Sequence, residues 1–331
     1  MPLSPEGAAR ILDSEAFLQA MLDKARPGAE KVLAFYDSRA NAICRDGRLL
    51  YIPLDDHLCH RGDGLFESFN YRNNRVFAFR DHLARLRRGA DLLELSPPAS
   101  WERLEQLLLE TAAAGGASHG DLRLFLGRGP GGFGVSPAEC PLSSLYIVAL
   151  KTDLPSPELY KRGLAAFTSV VPPKQDYLAR IKTTSYLPNV LMSAEALKKN
   201  VPIAISFDKN GNLAEAAIAN VAIVDKNGVL RYPSLESILP GTTLLAAIRL
   251  AGARLPVAEG PVSREDLKTA REILLFTSAT LCVAITSYDG CPVGHGASAG
   301  KPGEIALWLK DALLEYMLEH GTPFNRGAYG R

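Results

Sequence analysis

The chain has no apolar run long enough to span a bilayer. Its first residues, Met-Pro-Leu-Ser-Pro-Glu-Gly, lack the basic region followed by an apolar one that marks a secretory leader. Membrane-spanning and exported classes are therefore not expected. An excess of one charge is missing too: 37 Lys and Arg against 36 Asp and Glu leave a formal net charge of +1, which gives no reason to expect nucleic acid or an anionic membrane as partner. Cysteine is sparse, odd in number and scattered (Cys44, Cys59, Cys140, Cys282, Cys291), which suits reduced thiols in a cytoplasm better than a disulfide framework. Internal repeats and low-complexity tracts are absent. What remains is a globular composition, 47% apolar and 22% charged over 331 residues, enough for two domains with cores of their own.

Periodicity places a division near Lys151. Residues 1–151 read as an α/β domain. It comprises a helical stretch over 5–24, strands over 32–36, 49–53 and 64–71, and a tight Arg72-Asn-Asn-Arg75 turn whose chain returns over 76–79. Helices over 81–95 and 101–113 and strands over 122–126 and 145–150 complete it. After a linker over 152–157, residues 152–331 are richer in turns. Strands are expected over 203–207, 213–217, 220–225 and 229–232, with hairpin chemistry in Asp208-Lys-Asn-Gly211 and Asp225-Lys-Asn-Gly228. Helices over 241–250, 263–270 and 303–320 and strands over 273–277 and 281–287 follow.

The stretch Ala179-Arg-Ile-Lys-Thr-Thr-Ser-Tyr-Leu-Pro-Asn-Val-Leu191 sets Lys182 just ahead of an amphipathic helix, whose apolar stripe is Leu187, Val190 or Leu191, Ala194 and Leu197. Ser185 is a plausible N-cap and Pro188 fits the first turn. The free N–H groups and dipole of a helix start disfavour a second positive charge, so this lysine is placed to lose its proton, as Schiff-base lysines do. A snorkelling surface lysine is the structural alternative. Glu215 is the only charge in Leu213-Ala-Glu-Ala-Ala-Ile-Ala-Asn-Val-Ala-Ile-Val224, so it either turns to solvent or pairs with a cation, such as the ring nitrogen of a pyridine cofactor. Gly241-Thr242-Thr243 at a helix start suits a phosphate or is plain capping. Arg85, beside the apolar face of its helix, can reach inward with a bidentate pair for phosphate oxygens.

Two motifs carry less. Gly127-Arg-Gly-Pro-Gly-Gly132 satisfies G-x-G-x-x-G, but no helix follows to receive a pyrophosphate. Asp55-Asp-His-Leu-Cys-His-Arg-Gly-Asp63 holds metal-type ligands at spacings that fit no zinc framework, so no metal is expected.

Taken in order, five segments resemble the fold-type-IV pyridoxal-phosphate enzymes, the family of branched-chain and D-amino-acid transaminases and aminodeoxychorismate lyase. They are His60-Arg-Gly-Asp-Gly-Leu-Phe-Glu67, Asp81-His-Leu-Ala-Arg-Leu86, Ile181-Lys-Thr-Thr-Ser-Tyr-Leu-Pro-Asn-Val-Leu191, Leu213-Ala-Glu215 with Asn220-Val-Ala, and Ile238-Leu-Pro-Gly-Thr-Thr243. The resemblance implies an α/β (α+β) fold of two domains, a smaller N-terminal one shaping the substrate pocket and a β-rich C-terminal one, with pyridoxal 5'-phosphate between them. It implies a Schiff base on Lys182, Glu215 at the pyridine nitrogen, and Arg85, Thr242 and Thr243 at the phosphate. Thr280 is a further phosphate contact and Tyr186 a partner of the ring hydroxyl; Phe66, Arg123 and Arg128 are the substrate-side candidates. It also implies a homodimer acting on an amino acid, branched-chain, hydrophobic or of D configuration, and a 2-oxo acid. Pyruvate elimination from aminodeoxychorismate is the alternative reaction. The Arg-x-His carboxylate clamp of D-alanine transaminases has no counterpart in Gly131-Gly-Phe-Gly-Val-Ser136. A non-catalytic binding protein on the same scaffold would have little physical reason to keep Lys182, Glu215 and Arg85 together.

Overall fold

A computed structural model of the chain describes residues 9–24 and 26–326. The first half comprises α1 (Ser14–Asp23), β1 (Val32–Asp37), β2 (Ala42–Cys44), α2 (His57–His60), β3 (Gly64–Arg72), β4 (Arg75–Val76), α3 (Phe79–Leu92), α4 (Trp101–Gly115), β5 (Gly120–Gly127) and β6 (Ser144–Leu150). The second half adds α5 (Pro157–Arg162), β7 (Leu164–Thr168), α6 (Asp176–Ala179), α7 (Leu187–Lys199), β8 (Ile203–Phe207), β9 (Leu213–Ala216), β10 (Asn220–Val224) and β11 (Leu230–Tyr232). It ends with α8 (Thr242–Ala251), β12 (Val257–Glu259), α9 (Arg264–Lys268), β13 (Glu272–Thr277), β14 (Leu281–Tyr288), β15 (Cys291–Pro292), α10 (Glu304–His320) and β16 (Thr322–Pro323).

Among the described residues the strands form two sheets. In the first, of order β16-β4-β3-β5-β6-β1-β2, β5 alternates between buried and half-buried positions over residues 122–126. Leu122, Leu124 and Leu126 of β5 are fully buried in one core with Leu83 and Leu86 of α3 and Leu104 and Leu108 of α4. The opposite face presents Phe66 and Ser68 of β3, in register with Phe125 and Arg123 of β5. The second sheet, with β10, β13 and β14 at its centre, is buried on both sides, so its strands read as unbroken apolar runs. Leu244 and Ala247 of α8 with Leu309 and Leu313 of α10 cover one side. On the other, the sheet curls so that Phe207 of β8 and Leu213 of β9 pack on Ile223 and Leu275.

The two sheets are stitched together at several points. β16, the last strand, returns to pair with β4 of the first sheet. The Thr277–Thr280 turn docks on β3, where Arg72 donates to Ala279 O at 2.7 Å and the Ser278 hydroxyl donates to Ser68 O at 3.2 Å. The segment around Lys182 lies along the start of β3: Phe66 N donates to Lys182 O and Thr184 N to Gly64 O, both at 2.9 Å.

Several expectations are corrected. Residues 49–53 do not form a strand: the Asp46 carboxylate caps a 3-10 turn over Gly47–Leu49, and β2 occupies the edge beside β1 instead. The Asn73-Asn74 turn forms with both residues at positive φ (50° and 58°), as a two-residue hairpin requires. The returning strand nevertheless stops at Val76, because Ala78 is left-handed (φ 47°) and starts α3. The helical stretch expected over 5–24 is α1 alone, Ser14–Asp23; residues 5–8 lie outside the described residues. Ser185 does not cap α7; Tyr186 holds the N-cap position without a side-chain bond, while Pro188 does occupy the first turn. The apolar stripe of α7 faces outward: Leu187, Val190, Leu191 and Leu197 are exposed, and Asn189, Met192 and Ala196 are the buried side, with Asn189 Nδ2 donating to Ala217 O at 2.6 Å.

Candidate active site

Lys182 reaches the cleft between the sheets, its backbone bonded to β3 and its ammonium over the Phe66 ring, 4.3 Å from the centroid. It donates to the hydroxyl of Tyr186, four residues further on, at 3.3 Å, and Tyr186 meets Phe66 edge-to-face at 4.9 Å. Burial, reinforced by the nearby Arg85 charge and opposed by Glu67 and Glu215, brings the Lys182 amine down to about 7. Near neutral pH a large share is the free amine, so the placement inferred from sequence has its electrostatic basis in desolvation and Arg85. Burial raises the Tyr186 phenol above its ordinary range, with Glu215 adding to the effect, so it remains a protonated donor.

Glu215, on β9, is hemmed in as well. Burial raises its carboxyl, while Lys174 and the Leu239 N–H work the other way; the bond from Leu239 N to Oε2 is long, at 3.4 Å. A carboxylate so placed wants a hydrogen-bonded cation.

Arg85 differs from its sequence reading. Its bidentate pair goes to Glu67, with Nε donating to Oε1 at 2.8 Å and Nη2 to Oε2 at 2.7 Å, and Nη1 donates to Pro240 O at 3.0 Å. Burial alone would raise the Glu67 carboxyl, but Arg85 and His82 outweigh it and hold it well below the ordinary carboxylate range. His82 Nδ1 lies 2.7 Å from Glu67 Oε2. Glu67 being a pure acceptor, Nδ1 carries the proton and Nε2 is left to accept the Thr242 hydroxyl at 3.0 Å. The chain Arg85, Glu67, His82, Thr242 thus ties α3 to the start of α8, where the N–H groups of Thr242 and Thr243 lack intrahelical acceptors. Gly241 must be glycine there: a Cβ would lie 1.8 Å from Asn220 Oδ1, whose amide donates to Leu239 O.

The remaining candidates separate. Phe66 joins Lys182 directly. Arg123 sits on the cleft-facing side of β5 and pairs with Asp121 at 3.1 Å. Arg128 is not brought to the Lys182 group: its guanidinium holds Asp63 in a bidentate pair and donates to Leu93 O and Glu94 O, bracing the end of α3. Thr280 bonds Thr277 within the turn docked on β3. Sequence reasoning missed Glu67 and His82 as site residues. The available signal was a lone carboxylate in the apolar strand β3 and a histidine one turn before Arg85. Lys174, whose Nζ stands over the Tyr186 ring at 4.5 Å, was missed as well.

Residues 64–288, which contain Lys182, Glu215, Arg85 and the residues bonded to them, match the model of the family described as amino-transferase class IV. The chain belongs to the class IV aminotransferases. A chloroplastic D-amino-acid transaminase of Arabidopsis thaliana is 33% identical over 306 residues, 90% of this chain and 80% of that one. A putative branched-chain-amino-acid aminotransferase of Methanocaldococcus jannaschii is 30% identical over 274 residues, 82% and 92% of the two chains. In fold, this aminotransferase is similar to the branched-chain amino acid aminotransferase from Escherichia coli (TM-score 0.76, 23% identity, 91% of this chain and 98% of that one). No helix among the described residues is long and apolar enough to cross a membrane.

Proposed function

We propose that this aminotransferase uses pyridoxal 5'-phosphate held at Lys182 to move an amino group between a hydrophobic amino acid, of L or D configuration, and a 2-oxo acid. The observation that carries the reading is the buried Lys182 amine, lowered to about 7 beside an aromatic wall. The residues fit the cofactor. Lys182 offers a nucleophilic amine, Glu215 a buried carboxylate for a pyridinium nitrogen, and Tyr186 a phenol for the ring hydroxyl. The Gly241-Thr242-Thr243 start of α8, with Arg85 fixed beside it through Pro240 O, offers donors for the phosphate. When bound, the cofactor supplies an electrophilic aldehyde and a ring that accepts the electron pair left at the substrate's α-carbon.

The chain's own residues then have distinct tasks. Glu215 would keep a proton on the ring nitrogen of the bound cofactor. Lys182, held beside the Tyr186 hydroxyl, would be the base that takes the substrate's α-proton and the acid that gives it back, which its lowered proton affinity permits at neutral pH. Phe66 and Phe125, stacked 6.2 Å apart, form the apolar wall that favours a hydrophobic side chain.

We infer also that residues 1–151 shape the pocket and 152–331 hold the cofactor, which is supported by the division of the strands between the sheets, Thr322–Pro323 excepted. The outward stripe of α7 with exposed Ile218 beside it supports a homodimer, and five free, scattered cysteines support a cytoplasmic setting. The test incubates the loaded protein with single L- and D-amino acids and follows the cofactor's absorbance. Conversion to the aminated form by an amino acid alone is expected. Inertness to every amino acid, with pyruvate released from aminodeoxychorismate, would overturn the reading.

A further inference from the structure

An aminotransferase takes a carboxylate on both sides of its reaction, and a carboxylate leaving water for a closed cleft requires a cation. Most cations around this cleft already have anions. Arg85 is fixed by Glu67 and Pro240 O, Arg128 by Asp63 and two carbonyls, and Arg123 pairs with Asp121. Lys182 is committed to the cofactor.

Lys174 is different. Its Nζ is buried yet has no hydrogen-bond partner among the described residues, and it stands 4.5 Å from the centroid of the same Tyr186 ring whose hydroxyl receives the Lys182 bond. Its placement is built rather than incidental. The loop leaving β7 is fastened to α7 by Glu195, which accepts from the Ser169 hydroxyl at 2.6 Å and from Val170 N at 3.3 Å. Pro172 and Pro173 then stiffen the approach to Lys174. Glu215 is an opposite charge that acts on it, but the two make no hydrogen bond, and with the cofactor bound Glu215 would be engaged by the pyridine nitrogen.

Resting on the aminotransferase reading, we propose that Lys174 is the cation that receives the substrate's carboxylate, at the face of Tyr186. Burial lowers its amine from the ordinary lysine range, partly opposed by Glu215, so a carboxylate entering beside it would favour a charge that burial disfavours. The assignment fills the place of the absent Arg-x-His clamp.

The test uses the loaded enzyme with Lys174→Met and Lys174→Arg. Binding of 4-methylvalerate and of its neutral amide is measured by titration calorimetry, and pyridoxal phosphate affinity by titrating the cofactor-free protein. Lys174→Met is expected to lose about tenfold to a hundredfold in affinity for the carboxylate, the range for a charged hydrogen bond. Amide and cofactor affinity should stay unchanged, and Lys174→Arg should recover part of the loss. Equal loss of carboxylate and amide, loss of cofactor affinity instead, or a carboxylate affinity that follows Arg123→Gln and not Lys174→Met would overturn the assignment. A wild type inert to amino acids sinks the aminotransferase reading; a reactive wild type with an unaffected Lys174→Met variant sinks this one alone.

Discussion

Replacing Glu67 by Gln removes one charge and keeps the shape. The carboxylate is fully buried and accepts from Arg85 twice and from His82 once, at 2.7 to 2.8 Å. The glutamine keeps one amide oxygen as an acceptor but leaves the Arg85 guanidinium buried without a counter-charge, with Pro240 O as its other firm acceptor. Breaking a buried pair by deleting one partner costs about 3–5 kcal/mol. For a chain of 331 residues, at about 1.4 °C per kcal/mol, that lowers the calorimetric melting temperature of the cofactor-free protein by roughly 4–7 °C at pH 7. The pH dependence has a definite sign. Since Glu67 is depressed in the fold, its contribution is complete above the unfolded carboxyl value near ~4.3 and is lost as pH falls below that value toward the folded one. The gap between wild type and variant should be flat from neutrality to about pH 5 and narrow below it. A gap under about 2 °C at pH 7, or one that widens in acid, would refute the role assigned to this pair.

Three further outcomes are expected. Labelling of Lys182 in the cofactor-free protein by trinitrobenzenesulfonate, read by peptide mass spectrometry, should reach half its maximal rate near pH 7; a midpoint near the ordinary lysine range contradicts the desolvated amine. Gly241→Ala should cost about 1–3 kcal/mol and weaken cofactor binding at the α8 start, because its Cβ would meet Asn220 Oδ1 at 1.8 Å; a variant that melts and binds like wild type removes that constraint. Leu187→Glu with Val190→Glu should shift sedimentation toward the monomer without unfolding the chain, since both side chains are exposed in the single protomer; an unchanged sedimentation coefficient rejects α7 as the contact.

Local chemistry was readable where one element decides it. β5 alternates cleanly, α4 runs from a Ser100 cap to a left-handed Gly116, and Asn73-Asn74 makes its turn with no help from afar. Lys182 and Glu215 stood out because each is a charge where its own segment disfavours one. What stayed hidden depends on distant partners. β7, a five-residue segment with two alanines after Gly163, is a strand only because β8 and β14 pair with it in parallel. The stripe of α7 is periodic, but periodicity does not say whether its apolar face meets this chain or another copy. Glu67 lay within a recognisable motif, yet its function arises only when α3 brings His82 and Arg85 against β3. Lys174 follows two prolines in a loop, with no pattern around it to mark an unpartnered ammonium.

The central claim is that the amine of Lys182, rather than that of its neighbour Lys174, carries the cofactor. Borohydride reduction of the loaded protein followed by peptide mapping addresses it directly. A single pyridoxyl group is expected on Lys182. A label on Lys174, or no stable label in a protein that is yellow before reduction, would contradict the site described above.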